Sequence, residues 1–423
     1  MRIVVLSMNF APELTGIGKY SGEMVDGLVA RGHEVVVVCA PPYYPQWQVQ
    51  AGHSQVGYRI ERPRPGMTVL RCPMWLPRQL GGLQRLLHLA SFALSSLLPM
   101  LLLVAWRPAV VFAVAPALFC APAAWLCARL AGAKAWLHIQ DFETEAAFEL
   151  GLLRGRFTRG AMRSAERWLL RGFDRVSTLS ARMLRRAAAK GVPLDRLERV
   201  PNWVDVRLVN PLDRSLALRG ELGIGVEQTV CLFSGTLNRK QGLHVLAEAA
   251  NRLAARRDIV LVICGQGEMQ ASLRLAAAGA ANVLFIDLQP TERYHRLLNM
   301  ADIHLLPQLK GAADLVMPSK LTGMLASGRP VVAGAASGSE IATLVEGRGC
   351  VVEAESAVAF ATAILALADD PALRTRLGAE GRRYSEKHLD AAMLLDRLDN
   401  RLRTLARPLT APLPIARQPE QAR

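Results

Sequence analysis

The fold is most constrained by residues 229–334, where short apolar runs lead directly into helical patterns. Residues 229–233 form an apolar run that enters a glycine-containing basic turn and then a helix rich in alanine and leucine. Residues 259–264 open in the same way into Gly265 and Gly267, and residues 317–321 begin a third helix. Strands that alternate with helices build a parallel sheet. The pattern therefore predicts a doubly wound α/β domain that binds its ligand at the carboxyl edge of the strands.

The basic turn after the first of these strands is predicted to bind phosphate. It contains Ser234, Gly235, Arg239, Lys240 and Gln241. In such a turn the loop N–H groups, the positive end of the helix dipole and two cationic side chains point at one negative charge. We therefore predict a nucleotide-diphosphate pocket here.

The length of 423 residues indicates two or three domains, and a 51% hydrophobic content indicates a folded globular chain. We place a first Rossmann-like domain at residues 1–205, a second at 206–388, a terminal helix at 389–405 and a disordered tail at 406–423. The second domain follows a hinge that contains Asn202. The net charge of +15 indicates a polyanionic partner, which could be nucleic acid, an acidic membrane face or a phosphorylated substrate. Seven arginines against one acid lie between Arg59 and Arg107, so much of the excess falls in the first half.

The cysteines and the N-terminus point to a cytosolic protein. The seven cysteines occur singly, without a CxxC motif or a Cys/His cluster, so we expect reduced thiols and no metal site. The first apolar run is short and leads into a turn, as a strand does and a signal peptide does not.

Glycines and aromatic residues follow the first two strands. Residues 9–20 are predicted to be a loop that carries Gly16 and Gly18. A third glycine of a dinucleotide fingerprint is replaced by Ser21, which disfavours NAD binding. The glycine pair could equally serve close packing. Residues 41–47 form a proline-stiffened aromatic loop that either stacks on sugars or lipid headgroups or packs on the domain.

Residues 86–106 are almost wholly apolar and long enough to cross a bilayer. A crossing would place parts of one α/β unit on opposite sides of the membrane. We therefore predict a helix that packs partly on the first domain and partly dips into the membrane face, with arginines on anionic headgroups. A wholly buried core helix is the alternative.

A predicted strand at residues 134–139 delivers His138 and, just after it, Asp141 to its carboxyl end. Catalytic residues of α/β folds lie at this end of a strand. A hydrogen-bonded structural histidine is the alternative.

Together, these motifs resemble the GT-B glycosyltransferases of family 4 over about residues 1–405. The motifs of the second domain lie at residues 234–242, 265–268, 301–307 and 326–332. The resemblance is closer to members that act in colanic acid biosynthesis and are considered fucosyltransferases. Its motifs lie at residues 12–20, 40–49, 137–141 and 311–322.

The resemblance implies two Rossmann-like domains that face a cleft. It also implies metal-independent transfer of a sugar, with retention, from a GDP- or UDP-sugar such as GDP-fucose, and no cofactor. The implied acceptor is a polyprenyl-diphosphate-linked saccharide at the inner face of the cytoplasmic membrane, where the protein would be peripheral and bound to anionic lipid.

The same resemblance implies roles for individual residues. Arg239 and Lys240 would stabilise the departing diphosphate, His138 would orient the donor sugar, and Asp141 would meet the acceptor hydroxyl. The implied donor-binding residues are Gly16, Gly18, Asn202, Ser234, Gly235, Gln241, Gly265, Gly267, Pro318, Ser319, Lys320 and Leu321. Thr236 stands where the family commonly has arginine. Leu315 and Gly323 replace two glutamates, one of which usually holds the nucleotide ribose.

Three other functions compete with this interpretation. A sugar-nucleotide epimerase of the same build would need catalytic carboxylates in the cleft, and the missing glutamate pair disfavours it. A nucleic-acid-binding protein would use the arginines, but they accompany apolar runs and no known binding motif. A catalytically inactive, membrane-attached scaffold is the third.

Overall fold

The computed structural model describes residues 1–77, 82–114, 117–142, 156–213, 218–310 and 318–407. It contains two α/β domains, each built on a largely parallel sheet with helices on both faces. The first sheet has eight strands in the order β3-β4-β2-β1-β5-β6-β7-β8. The second has six parallel strands in the order β11-β10-β9-β12-β13-β14. The two doubly wound α/β domains predicted from the sequence are therefore confirmed.

The strands are β1 Arg2–Ser7, β2 Glu34–Cys39, β3 Arg59–Arg64, β4 Met67–Arg71, β5 Val110–Val114, β6 Lys134–Ile139, β7 Arg175–Thr178, β8 Leu197–Arg199, β9 Thr229–Ser234, β10 Ile259–Cys264, β11 Val283–Ile286, β12 Ile303–Leu306, β13 Val331–Gly334 and β14 Gly349–Val352. The α-helices are α1 Gly16–Ala30, α2 Gly82–Leu102, α3 Ala117–Ala131, α4 Arg156–Gly172, α5 Ala181–Ala189, α6 His244–Arg252, α7 Gln270–Ala276, α8 Thr291–Met300, α9 Lys320–Ala326, α10 Glu340–Val345, α11 Ala357–Asp369, α12 Pro371–His388 and α13 Ala391–Ala406.

In both sheets the direction in which successive strands are added reverses at a central strand, and this reversal fixes the position of the site. In the second sheet β9 lies between β10 and β12, and in the first sheet β1 lies between β2 and β5. The central strands β5, β9 and β10 are buried along their whole length. Parallel strands covered on both faces need such continuous apolar runs. Loops from the strand ends on either side of each reversal diverge and leave a crevice.

The structure corrects three local predictions. Helix α1 begins at Gly16, so residues 16–20, predicted to belong to a loop, form the first helical turn. Strand β3 pairs antiparallel with β4, an edge hairpin that the sequence pattern did not predict. The terminal helix begins at Ala391, where the Asp390 carboxylate accepts a hydrogen bond from the amide of Met393. The predicted disorder after residue 407 lies outside the described residues.

The terminal helix α13 returns to the first domain. Its residues Leu394, Leu395, Leu398 and Leu402 join the core beneath α1. Asp396 forms an ion pair with Arg31, and the buried Asp399 is hydrogen-bonded to the His33 ring at 2.6 Å. The two domains are therefore linked twice, by the hinge and by this returning helix.

The apolar helix α2 is only partly buried. In the described residues one helical stretch, Leu83–Trp106, is long and apolar enough to cross a membrane, and 28% of its most apolar window is buried. One face, with Leu89, Phe92 and Met100, packs in the first-domain core. The opposite face exposes six leucines, Leu83, Leu87, Leu94, Leu98, Leu101 and Leu102. A wholly buried core helix is thus excluded.

All seven cysteines are free, and six of them are buried. Burial raises the pKa of the Cys39 thiol to about 12. These thiols are therefore kept in their unreactive form, as buried structural cysteines are.

Candidate active site

The loops that follow β9 and β10 interlock at the carboxyl edge of the second sheet. The Gly235 amide donates to the Cys264 carbonyl at 3.0 Å, and the Leu237 amide donates to the Gln266 carbonyl at 2.9 Å. A Cβ at Gly265 would overlap the Gly235 carbonyl oxygen, and one at Gly267 would overlap that of Leu237. The two glycines therefore let the loops pack on each other. Their contact with a nucleotide stays a prediction.

The basic turn continues from these loops. One 3₁₀ turn, Arg239–Gln241, is followed by Gly242 in the left-handed conformation (φ +63°) and then by α6. The Arg239 side chain is exposed, and its amide donates to Glu268 Oε1 at 3.1 Å. Ser234 is buried at the end of β9. The backbone of Lys240 lies in this turn, but its side chain is outside the described residues.

The start of α9 lies against the same turn. The Lys320 amine donates to Gln241 Oε1 and lies 4.0 Å from the ring centroid of Phe233. Burial lowers the pKa of Lys320 to about 7. Pro318 is buried just before the helix, whereas the Leu321 side chain packs in the core of the second domain. Leu321 can thus offer a ligand only its backbone.

Two tyrosines of the first domain reach the second domain. The Tyr20 hydroxyl donates to the Ser319 carbonyl at 3.2 Å and lies 3.4 Å from Thr322 Oγ1. The Tyr44 hydroxyl is hydrogen-bonded to Thr236. Thr236 is where the family commonly places arginine, so a neutral contact between domains stands in that place. Sequence analysis did not assign either tyrosine, although Tyr44 belongs to the predicted aromatic loop.

A buried carboxylate joins the first-domain loops. Glu13 Oε1 accepts hydrogen bonds from the amides of Tyr43 and Tyr44, both at 3.0 Å. Glu13 Oε2 accepts from Asn9 Nδ2 at 2.9 Å. A Cβ at Gly18 would lie 2.5 Å from Glu13 Oε2, so this glycine makes room for the carboxylate. Burial raises the pKa of Glu13, while the amide bonds oppose the shift.

Gly16 serves the same loops by its conformation. It adopts a left-handed backbone (φ +58°) at the start of α1, and a Cβ there would lie 3.9 Å from the Tyr44 ring. Glu13 is a single acid in a loop, and no local pattern marked it as the residue that orders two loops.

His138 lies at the end of β6 with both ring nitrogens hydrogen-bonded. Its Nδ1 is 2.9 Å from Ser177 Oγ, and its Nε2 is 3.3 Å from the Gln140 side chain. Burial lowers the pKa of His138 to about 4, so the imidazole is neutral at neutral pH. Asp141 follows three residues later in the partly exposed loop and lies close enough to raise the pKa of Tyr44.

Asn202 belongs to the hinge between the domains. It is buried in the hinge, beside Trp203, whose ring meets the Tyr20 ring edge-on at 5.4 Å. Across the described ranges, no group of three or more His, Cys, Asp or Glu residues could hold a metal ion.

Comparison with known proteins agrees with this architecture. Residues 15–203 match the model of the glycosyl transferase 4-like domain, and residues 216–384 match that of glycosyl transferases group 1. The chain is 41% identical to the Escherichia coli (strain K12) protein named as a colanic acid biosynthesis glycosyl transferase, WcaI. That match spans 95% of this chain and 100% of the relative.

Two solved structures share the fold. Sucrose-phosphate synthase from Thermosynechococcus elongatus superimposes with a TM-score of 0.74 at 16% identity, covering 96% of this chain and 98% of the other. Anabaena HepE in complex with UDP and glucose gives 0.68 at 14% identity, covering 96% and 100%. With two consecutive domain models matched and one relative aligned from end to end, the chain belongs to the family 4 glycosyltransferases of GT-B fold.

Proposed function

We propose that this enzyme transfers fucose from the nucleotide sugar GDP-fucose to a lipid-linked saccharide during exopolysaccharide synthesis. The proposed reaction retains the anomeric configuration and uses no metal ion. The relative named for colanic acid biosynthesis supports the pathway class, and HepE in complex with UDP supports a nucleotide-sugar donor.

The observation that carries the proposal is the convergence of three loops and two domains at one sheet edge. The loop of Gly235 and Arg239, the interlocked loop of Gly265 and the start of α9 at Lys320 lie together, and Tyr20 and Tyr44 meet them from the first domain. As the glycosidic bond breaks, negative charge accumulates on the departing diphosphate. A site that uses no metal must stabilise this charge with fixed cations and N–H groups.

His138 suits an orienting role in this proposal. Ser177 at Nδ1 fixes the plane of the neutral imidazole, and Nε2 can exchange its 3.3 Å contact with Gln140 for a sugar hydroxyl without adding charge. Asp141, in the partly exposed loop beyond it, is the proposed contact for the acceptor hydroxyl.

A panel of GDP- and UDP-sugars, incubated with the purified full-length protein and a polyprenyl-diphosphate-linked saccharide, tests donor and reaction together. We expect transfer from GDP-fucose, a product that by NMR keeps the β configuration of the donor, and unchanged turnover after chelation of divalent cations. Transfer from a UDP-sugar alone would show that the donor is that sugar and not GDP-fucose. Hydrolysis or epimerisation without transfer would overturn the proposal.

The exposed leucines of α2 support a membrane location for the acceptor. Helices α2, α3 and α4 lie side by side on one face of the first sheet. Beside the six leucines this face exposes Leu130 and Trp168. Arg129, Arg163, Arg167 and Arg171 are exposed on α3 and α4. Apolar side chains flanked by arginines match the hydrocarbon and the headgroups of an anionic bilayer, so we propose peripheral binding at the cytoplasmic face.

Sedimentation with anionic vesicles at low salt tests this surface. Replacement of Leu94 and Leu98 by aspartate should reduce the bound fraction at least about 10-fold, since each charge opposes insertion. Leu275 and Val226 on the second domain are exposed at least as much as Leu94 and Leu98, and their replacement by aspartate is the matched control. Equal sedimentation of both variants would contradict the assignment.

A further inference from the structure

Lys320 lies beside the phosphate-binding loop, and the structure defines the contacts of its amine. Its amine donates to the neutral Gln241 amide and lies over the Phe233 ring. It also lies 3.3 Å from the position that a Cβ on Gly235 would take. Any ligand anion that contacts the Gly235 backbone is therefore within reach of this amine.

No acid neutralises this amine in the described part of the chain, where no carboxylate lies within 4.0 Å of Lys320 Nζ. The loop glutamate Glu268 is bonded to the Arg239 amide, and Glu23 of α1 pairs with Lys19 at 3.6 Å. The titratable side chains on the elements around it are Lys19, Tyr20 and Glu23 of α1, Tyr44 and Asp141 of the first-domain loops, Arg239 and Glu268 of the second-domain loops, and Tyr294 of α8. An amine among neutral partners lacks a counter-ion until a ligand supplies one.

We propose that Lys320 is the cation that contacts the donor phosphate next to Gly235, and that the enzyme takes up a proton at this amine when the donor binds. The inference rests on the proposed nucleotide-sugar donor. It assigns to Lys320 the positive charge that Thr236 does not supply at the opening of the turn.

The proton uptake follows from desolvation. Because burial lowers the pKa of Lys320 to about 7, much of the free enzyme carries a neutral amine above that pH. A phosphate placed against the amine favours its charged form and raises the pKa again. The proton comes from solvent, and the phosphodiester groups of the donor do not titrate in this range.

Calorimetric titration of GDP-fucose, with UDP-glucose in parallel, into the full-length protein measures this linkage. In two buffers of different ionisation enthalpy at about pH 8, we expect uptake of about 0.9 proton per donor bound, falling to about 0.1 at about pH 6. Lys320→Met should abolish the uptake and weaken binding about 10- to 100-fold, the effect of losing one charged hydrogen bond. Lys320→Arg carries a permanent charge, so it should bind more tightly than Lys320→Met without proton uptake.

Lys387→Met removes an exposed lysine on α12 and is the matched control. Thermal unfolding of each variant identifies any loss of fold, which we do not expect because methionine suits the apolar surroundings of the Lys320 stem. If the unaltered protein binds neither donor, the proposed function fails and this inference with it. If the unaltered protein and Lys320→Met bind a donor with equal affinity and equal proton uptake, the inference fails alone.

Discussion

The phenol of Tyr294 occupies the space that a side chain at position 323 would need. Its oxygen lies 2.7 Å from the place where a Cβ on Gly323 would stand, and Leu298 Cδ1 lies at 3.1 Å. Gly323 is where the family commonly carries a glutamate. The absence of that glutamate therefore coincides with an aromatic side chain from α8 that fills its position, beside Lys19 and Tyr20 of α1.

Replacement of Gly323 by alanine tests this relationship. Overpacking against the phenol should destabilise the protein by about 1–3 kcal/mol, partly offset by the better helix propensity of alanine. In a Tyr294→Phe background the same replacement should become neutral or stabilising, because the clashing oxygen is gone. Chemical unfolding of the four proteins of this double-mutant cycle gives the coupling. An equal cost in both backgrounds would contradict the steric explanation.

Loss of both cations of the basic turn should abolish transfer without unfolding the protein. Removal of one donor to a developing anion costs about 3 kcal/mol of barrier, so Arg239→Ala with Lys240→Ala should lower turnover at least about 100-fold. The exposed Arg252 and Arg257 of the same domain provide a double-alanine control. Steady-state rates and melting temperatures separate the two effects, and unchanged turnover would remove the phosphate assignment.

Gly265→Ala should destabilise the second domain strongly. Its Cβ would overlap the Gly235 carbonyl, so the two loops must separate, at a cost of about 3 kcal/mol. Gly338 also has a left-handed backbone but meets nothing within 4 Å, so Gly338→Ala should cost only about 1 kcal/mol. Unfolding in urea compares the two. Similar losses would show that backbone conformation, and not loop packing, requires glycine at 265.

Acid should destabilise the protein partly through His138. Above pH 6.5 the imidazole is neutral in both states. Below it the unfolded chain binds a proton that the folded protein, with the pKa of His138 lowered to about 4, does not bind. The free energy of unfolding should therefore fall by about 2 kcal/mol from this group by about pH 5. His138→Asn should remove this part of the slope, with His244→Asn as the surface control. Parallel acid profiles of His138→Asn and the unaltered protein would disprove the burial argument.

The local parts of the site were predictable because each rests on a short pattern. Alternating strands and helices gave the two sheets, and glycines next to Arg239 gave the phosphate turn. The sequence did not indicate why Gly18 and Gly265 are glycines. At Gly18 the Glu13 carboxylate leaves no room for a side chain, and loop folding brings it there. At Gly265 the Gly235 carbonyl of another loop leaves no room.

The amino-acid sequence by itself determined the fold class, the order of the elements and the residues at the strand ends, because hydrophobic periodicity and turn chemistry act over a few residues. Tertiary structure alone decided that α2 keeps one face exposed, that Tyr20 and Tyr44 reach the second domain, and that Lys320 lies beside Gln241. These features depend on burial and on contacts between residues far apart in the chain. Such contacts change the pKa of an amine or the space available for a side chain at a glycine position, and a local sequence pattern does not show them.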